Sequence, residues 1–272
     1  MLSTTDPTAK LVVQNIKKTF FKETGDKVVG IEVLGGINLS VAKGEFVSVI
    51  GPSGSGKSTL FNIVAGLEAP DAGDVRVDGV LATGRIEDCA YMPQQDLLFP
   101  WRTILDNTTL GLEVQGVPRA EARARAAALF PRFGLAGFEA AYPHALSGGM
   151  RQRAALLRTV VQGRPIALLD EPFGALDALT RLEMQTWLAE VQAEFGWTVV
   201  LVTHDVREAV LLSDRIYVLA PRPTSVRATV EVTLPRPRTP DALGAPAFIE
   251  AERRVLAALQ LGPAPTAAEA GR

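Results

Sequence analysis

The chain is poor in thiols and imidazoles: among its 272 residues there is one cysteine, Cys89, and two histidines, His144 and His204. A lone cysteine cannot close an internal disulfide, and so small a set cannot assemble a cysteine/histidine zinc centre. A reducing cytosol suits such a chain best. Charge of one sign is also missing, because 28 Lys and Arg stand against 30 Asp and Glu for a net charge of -2. That balance argues against a dedicated nucleic-acid binder, which carries a basic excess or a basic face. Nowhere do about 18 apolar residues run uninterrupted, so no segment reads as a membrane span. The opening MLSTTDPTAK has an acid and a proline where a signal peptide needs a basic start and an apolar run. Work at a membrane would therefore need another chain as anchor. What is present is ordinary for a folded domain, with 47% hydrophobic and 21% charged residues.

Short apolar runs dominate the first third. Residues 11–16, 30–34, 37–41, 46–50 and 75–77 read as strands, with turns at 71–73 and 78–79. The run Phe46-Val47-Ser48-Val49-Ile50 is β-branched and apolar almost throughout, which suits a strand buried on both faces of a parallel sheet. From 97 to 158 the composition shifts to alanine, arginine and leucine. A helix is expected over 119–133 with Arg119, Glu121, Arg123 and Arg125 outward, and a second after Ser147. Strand signals return at 166–169 and 198–202 around an amphipathic helix over 178–195, which implies a right-handed β–α–β crossover. Residues 216–219 and 228–232 are weaker strand candidates. The proline-rich stretch 221–246 reads as peripheral, followed by a short helix near 247–259 and a frayed tail.

Gly51-Pro52-Ser53-Gly54-Ser55-Gly56-Lys57-Ser58-Thr59 matches the phosphate-binding loop G-x-x-x-x-G-K-[ST] between an expected strand and an expected helix. The glycines allow positive φ, so successive backbone N–H groups can converge on phosphate oxygens at a helix N-terminus. Lys57 is placed to reach the β- and γ-phosphates, Ser58 to offer a hydroxyl to Mg²⁺, and Thr59 to support the α-phosphate side. Downstream, Ile166-Ala167-Leu168-Leu169 closes on Asp170-Glu171. Asp170 is a hard oxygen donor suited to Mg²⁺, and Glu171 is the candidate to orient and polarise an attacking water. Taken alone, such an acidic strand end also fits a surface turn; the upstream phosphate loop favours the functional reading.

The segment Leu146-Ser147-Gly148-Gly149-Met150-Arg151-Gln152-Arg153 offers a second anion site, a serine N-cap with two glycines leaving amides bare at a helix start. It resembles the signature of ATP-binding cassettes of ABC transporters, and it lies just upstream of the acidic strand end as in that family. Other elements of the family follow in order. Gln94 resembles the glutamine that contacts Mg²⁺ and the attacking water, although Gln95 is adjacent. Asp177, in Ala175-Leu176-Asp177, resembles the residue that signals between paired sites. His204 resembles the switch histidine that senses the γ-phosphate, whereas His144 reads as structural. Phe20 stands where relatives carry an aromatic that stacks on adenine, with Phe21 as its rival.

The resemblance covers roughly residues 11–219. It implies an α/β fold: a P-loop NTPase (RecA-like) core with an antiparallel β-subdomain and the ABC helical subdomain. The ATP-binding domain is expected over 10–220, its helical subdomain over about 97–158, and a C-terminal extension over 221–272. The implied activity is hydrolysis of ATP, with Mg²⁺, coupled to transport. Glu171, His204 and Gln94 would serve catalysis; Phe20 and residues 51–59 would hold ATP in cis; Ser147, Gly148, Gly149 and Gln152 would contact the ATP of a second cassette. Ser58, Gln94 and Asp170 would serve Mg²⁺. With one copy of each motif, the chain needs a second copy or a close relative, packed head-to-tail. The resemblance also implies permease subunits, indirectly a periplasmic or lipoprotein solute-binding protein, and a peripheral place on the cytoplasmic face of the cell membrane. The run Gln94–Asn107, QQDLLFPWRTILDN, with Glu171-Pro172-Phe173-Gly174-Ala175-Leu176-Asp177, is similar to the nitrate/sulfonate/taurine branch of bacterial importers, which includes pyrimidine and thiamine-precursor systems. Two other classes fit less well. One is a soluble ABC-type ATPase working on DNA or ribosomes: chromosome-maintenance members place a very long coiled coil between phosphate loop and signature, for which the interval from Thr59 to Ser147 is too short, and translation-factor members usually carry two cassettes in one chain, where this has one. A nucleotide-binding module without turnover would not need Glu171, Gln94 and His204 together.

Overall fold

A computed structural model describes residues 9–25, 27–236 and 238–260. Two long strands open the chain, β1 (Ala9–Thr24) and β2 (Lys27–Ala42), followed by β3 (Phe46–Ile50), α1 (Lys57–Val64), β4 (Ala72–Val77), β5 (Val80–Leu81) and β6 (Cys89–Met92). Four helices come next: α2 (Ile104–Thr108), α3 (Leu110–Val114), α4 (Arg119–Leu129) and α5 (Gly148–Val160). The remainder alternates as β7 (Ile166–Asp170), α6 (Ala178–Phe195), β8 (Thr198–Thr203), α7 (Val206–Leu212), β9 (Arg215–Leu219), β10 (Val226–Glu231) and α8 (Pro246–Gln260).

These strands form two sheets. One has four strands in the order β2-β1-β4-β5, antiparallel throughout. The other has six in the order β10-β9-β3-β8-β7-β6, parallel except for β10. The expected strands at 30–34 and 37–41 are one continuous strand, β2, whose pairing with β1 slips at several bulges. Bulges let a long ribbon keep its ladder while it twists. Strand β3 is buried at every position, as its composition requires of a strand with layers on both sides.

Three apolar clusters flank the sheets. Phe46, Met92, Leu105, Phe130, Phe133, Leu157 and Leu188 unite one face of the parallel sheet with α2–α6. Phe61, Leu60 and Val64 of α1 fill the space between the two sheets with Ile16, Ile37, Val47 and Val49. The third cluster corrects the view of 221–246 as peripheral. Strand β10 is hydrogen-bonded to β9 from Val226↔Leu219 to Glu231↔Arg215. Helix α8 buries Phe248, Ala251, Val255 and Ala258 against Val210, Ile216 and Val218. A boundary at 220 would therefore cut between two paired strands. Prolines suppress the strand signal because each lacks an N–H, yet they flank β10 rather than interrupt it. The tail expected after 260 lies outside the described residues.

The helix over 119–133 is shorter than its spacing predicts. Helix α4 stops at Leu129 and two turns carry Phe130 and Phe133 into the core, with Gly134 in the left-handed region at φ 64°. Among the described residues, no helix is long and apolar enough to cross a membrane.

Candidate functional site

The site lies where neighbouring parallel strands end. The phosphate loop follows β3, His204 follows β8, Asp170 ends β7 with Glu171 next, and Gln94 follows β6. The order β3-β8-β7-β6 makes these ends adjacent, the usual place for a ligand in an open parallel sheet.

Within the phosphate loop, Gly54 and Gly56 have φ of 76° and 88°, which only glycine adopts without strain. Gly56 is the residue before α1 and is packed so tightly that a Cβ there would meet Val33 Cγ1 at 2.6 Å. The Lys57 ammonium donates to the carbonyls of Gly51 at 2.9 Å and Pro52 at 3.1 Å. Burial pushes the Lys57 ammonium below its ordinary pKa, opposed by the charges of Glu171 and Asp170. Pro52, Ser53, Gly54 and Ser58 are exposed, Thr59 is half-buried, and Ser55 is buried, its hydroxyl without a hydrogen-bond partner among the described residues.

Asp170 is buried and accepts a hydrogen bond from the Tyr91 hydroxyl at 3.2 Å. Its carboxyl is pushed above the usual range by burial and pulled back first by a hydrogen bond with Ser58, then by Tyr91. Ser58 and Asp170 thus meet, and both are hard oxygen donors of the kind Mg²⁺ takes. Tyr91 was not legible as a site residue, because a tyrosine on a short apolar strand reads as core.

Glu171 has φ 45°, unusual for a residue with a side chain, and its N–H donates to Val202 O at 2.9 Å. The backbone thus turns sharply as β7 ends. Its Oε2 accepts from Gln94 Nε2 at 3.2 Å and lies 3.2 Å from His204 Nδ1. Of the two adjacent glutamines, Gln94 is the one that reaches Glu171. Gly174 closes this corner, where a Cβ would come within 3.8 Å of Glu171 Oε2 and 3.9 Å of Gln94 Nε2.

The signature residues occupy the start of α5. Ser147 caps it, accepting from Met150 N–H at 3.3 Å, and Ser147 and Gly148 are exposed. Gly149 is buried, and a Cβ there would meet Thr180 Cγ2 at 2.9 Å, so its bareness lets the first turn of α6 approach. Asp177 caps that helix, accepting from Thr180 N–H at 3.1 Å. Gln152, on α5, is buried, and its Oε1 has no hydrogen-bond partner among the described residues. Arg151 pairs with Asp96 at 3.2 Å and Arg158 donates to Leu97 O at 2.7 Å, which ties α5 to the segment after Gln94. Neither arginine carries a mark of this tie in the sequence.

Phe20 and Phe21 are both exposed on β1, with the Lys18 ammonium 5.3 Å from the Phe20 ring centroid. His144 stacks on Tyr142 with ring centroids 5.9 Å apart.

The sequence profile of the ABC transporter family matches residues 34–174, from β2 through the phosphate loop and signature to the corner after Glu171. The chain belongs to this family. Similar proteins include an uncharacterised ABC transporter ATP-binding protein of Methanocaldococcus jannaschii, 44% identical over 91% of this chain and 90% of the relative. A formylaminopyrimidine import ATP-binding protein of Halalkalibacterium halodurans is 48% identical over 72% of this chain and 76% of its own. An aliphatic sulfonates import ATP-binding protein of Ralstonia nicotianae is 46% identical over 83% and 75%. Among solved structures, a dimeric ATP-binding cassette in a post-hydrolysis state with ADP and Pi is similar at TM-score 0.68, with 33% identity over 81% of this chain and 98% of that one. The ABC cassette described here is thus an ATP-hydrolysing enzyme with a P-loop NTPase fold, and the residues gathered around Glu171 and Lys57 are its candidate machinery.

Proposed function

We propose that this ABC cassette is the motor subunit of an importer for a small solute of the sulfonate, taurine, nitrate or pyrimidine type. The observation that carries the mechanism is the convergence of Gln94 and His204 on one oxygen of Glu171, beside a phosphate loop whose lysine is already in place. Glu171, so oriented, accepts a proton from the water that attacks the γ-phosphate. Its Oε1 is the oxygen that faces that water, since both contacts fall on Oε2. His204 and Gln94 hold the carboxylate and respond to the γ-phosphate. Lys57 leaves the carbonyls of Gly51 and Pro52 to pair with phosphate oxygens, which offsets the cost of keeping an ammonium buried. Phe20 offers a ring face for adenine.

The donors Ser58, Asp170 and Gln94 fit Mg²⁺, which when bound neutralises charge on the β- and γ-phosphates. Asp170 is held ready by Tyr91 and Ser58.

Ser147 and Gly148 serve the nucleotide of a second copy of the chain, packed head-to-tail. Their exposure supports that pairing, as does the dimeric state of the similar cassette. ATP then joins the two copies and hydrolysis releases them. Gln152 supports the signature helix from beneath. Permease subunits dock near Phe99 and Trp101, exposed rings stacked 5.1 Å apart on the segment after Gln94. A similar solved structure is described as part of an ABC transporter complex, which supports a membrane partner. The named cargoes of the relatives support import, fed by a solute-binding protein, with the cassette on the cytoplasmic face of the membrane.

The test is Mg²⁺-dependent ATP hydrolysis measured against protein concentration, with oligomeric state followed by light scattering. A rate that rises more than linearly, with dimers appearing in ATP, supports the head-to-tail motor. A strictly linear rate carried by monomers sinks it.

A further inference from the structure

The turn between β9 and β10 lies against the phosphate loop. Leu219, at the end of β9, would meet a Cβ on Gly51 at 2.9 Å, so the strand end and the loop are in contact. Five residues on, Thr224 is fully buried, although its neighbours in the turn are not all so. Its backbone is paired with β2 on both sides: Thr224 N–H donates to Val33 O at 3.0 Å, and Gly35 N–H donates to Thr224 O at 2.8 Å. Its hydroxyl donates to the carbonyl of Ser55 within the phosphate loop. The same Val33 is what a Cβ on Gly56 would strike. One residue thus joins the nucleotide-binding loop, the ribbon that carries Phe20, and the C-terminal part of the chain.

The peptide between Ser55 and Gly56 is trans, so its C=O and N–H point in opposite directions. Pinning the Ser55 carbonyl to Thr224 therefore aims the Gly56 N–H away from the β9–β10 turn. An anion-binding loop works by aligned N–H groups, and a single flipped peptide presents an oxygen to the phosphate instead. Without a donor, the buried carbonyl would be left unsatisfied, and a flipped peptide would become competitive.

We propose that Thr224 is a positioning residue for nucleotide binding: its hydroxyl fixes the Ser55–Gly56 peptide in the orientation that receives phosphate, and its backbone sets the height of β2, and so of the adenine platform on its partner strand β1, over that loop. Sequence gave no sign of this role, since Thr224 sits in a proline-rich turn far from every recognised motif.

The experiment compares the full-length native protein with Thr224→Val, which keeps the shape and removes the donor, and Thr224→Ser, which keeps the donor and removes a methyl. Equilibrium affinity for ATP and for inorganic tripolyphosphate is measured for each, with KM and kcat for hydrolysis and a thermal melt. The valine variant should bind both ligands about tenfold more weakly, with KM raised more than kcat is lowered, and serine should stay within about twofold of native. Should the valine variant not fold, Thr224→Ala supplies the donor-free arm. Native affinity in the donor-free variant overturns the proposal, and so does a serine variant as weak as it. Failure of the native protein itself to bind ATP would instead count against the nucleotide site as a whole.

Discussion

His204 Nδ1 lies 3.2 Å from Glu171 Oε2, although the two residues end different strands of the sheet. The contact exists because β7 and β8 are parallel neighbours in register, with Asp170 opposite Val202. Glu171 N–H also donates to Val202 O, so Glu171 is tied to β8 through its backbone. Replacing the carboxylate by its amide keeps this shape and removes the base. Glu171→Gln should lower ATP turnover by about 100-fold or more while nucleotide affinity persists, and should accumulate as an ATP-bound dimer in light scattering.

Gly56 combines φ 88° with a neighbour at 2.6 Å from any added Cβ. Gly56→Ala must therefore shift Val33 or unwind the start of α1. The expected result is a stability loss of more than about 1 kcal/mol in denaturant titration, with loss of ATP binding.

Glu208, on α7 four residues after His204, is buried and accepts from Gln185 Nε2 at 3.3 Å, while its Oε1 has no hydrogen-bond partner among the described residues. Burial, with the charge of Asp205 second, pushes its carboxyl up to about 8. The unfolded chain ionises Glu208 near its ordinary value of about 4.5, before the folded chain does. Its contribution to stability is thus fully present below that pH and is lost as pH rises towards about 8. Glu208→Gln removes the titration. The melting temperature of the variant relative to native should climb between about pH 5 and pH 8, and a pH-independent difference would refute the assignment.

Cys89 is buried in β6, and burial pushes its thiol up to about 12. So little thiolate exists near neutrality that alkylation by iodoacetamide at pH 8 should be negligible in the folded protein and prompt in denaturant. Mass spectrometry after a short pulse reads the difference.

Trp101 is 71% exposed, beside Phe99 at 40%. Because the indole is largely in water, Trp101→Ser should change stability by less than about 0.5 kcal/mol and leave hydrolysis by the cassette alone intact. Sedimentation with membrane vesicles from the source cells should fall sharply if this surface meets a permease, and unchanged sedimentation would move the docking site elsewhere.

The amino-acid sequence by itself determined the parts whose geometry is carried by contiguous residues. The phosphate loop, the signature helix start capped by Ser147 and the helix Ala178–Phe195 capped by Asp177 are each set within a few residues by caps, glycines and periodicity. The family and the residues at the strand ends were legible for the same reason. Tertiary structure alone decided which of them meet. That Gln94 rather than Gln95 reaches Glu171, that Tyr91 holds Asp170, that Gln152 is buried and that Thr224 grips the phosphate loop all depend on strand order and on turns distant in sequence. The physical reason is that a parallel sheet joins residues through non-local hydrogen bonds, and a single strand carries no mark of its neighbour. Proline density left β10 only a weak candidate at 228–232: it reports the lack of N–H donors along 221–246, and says nothing of the edge of β9 against which that segment pairs.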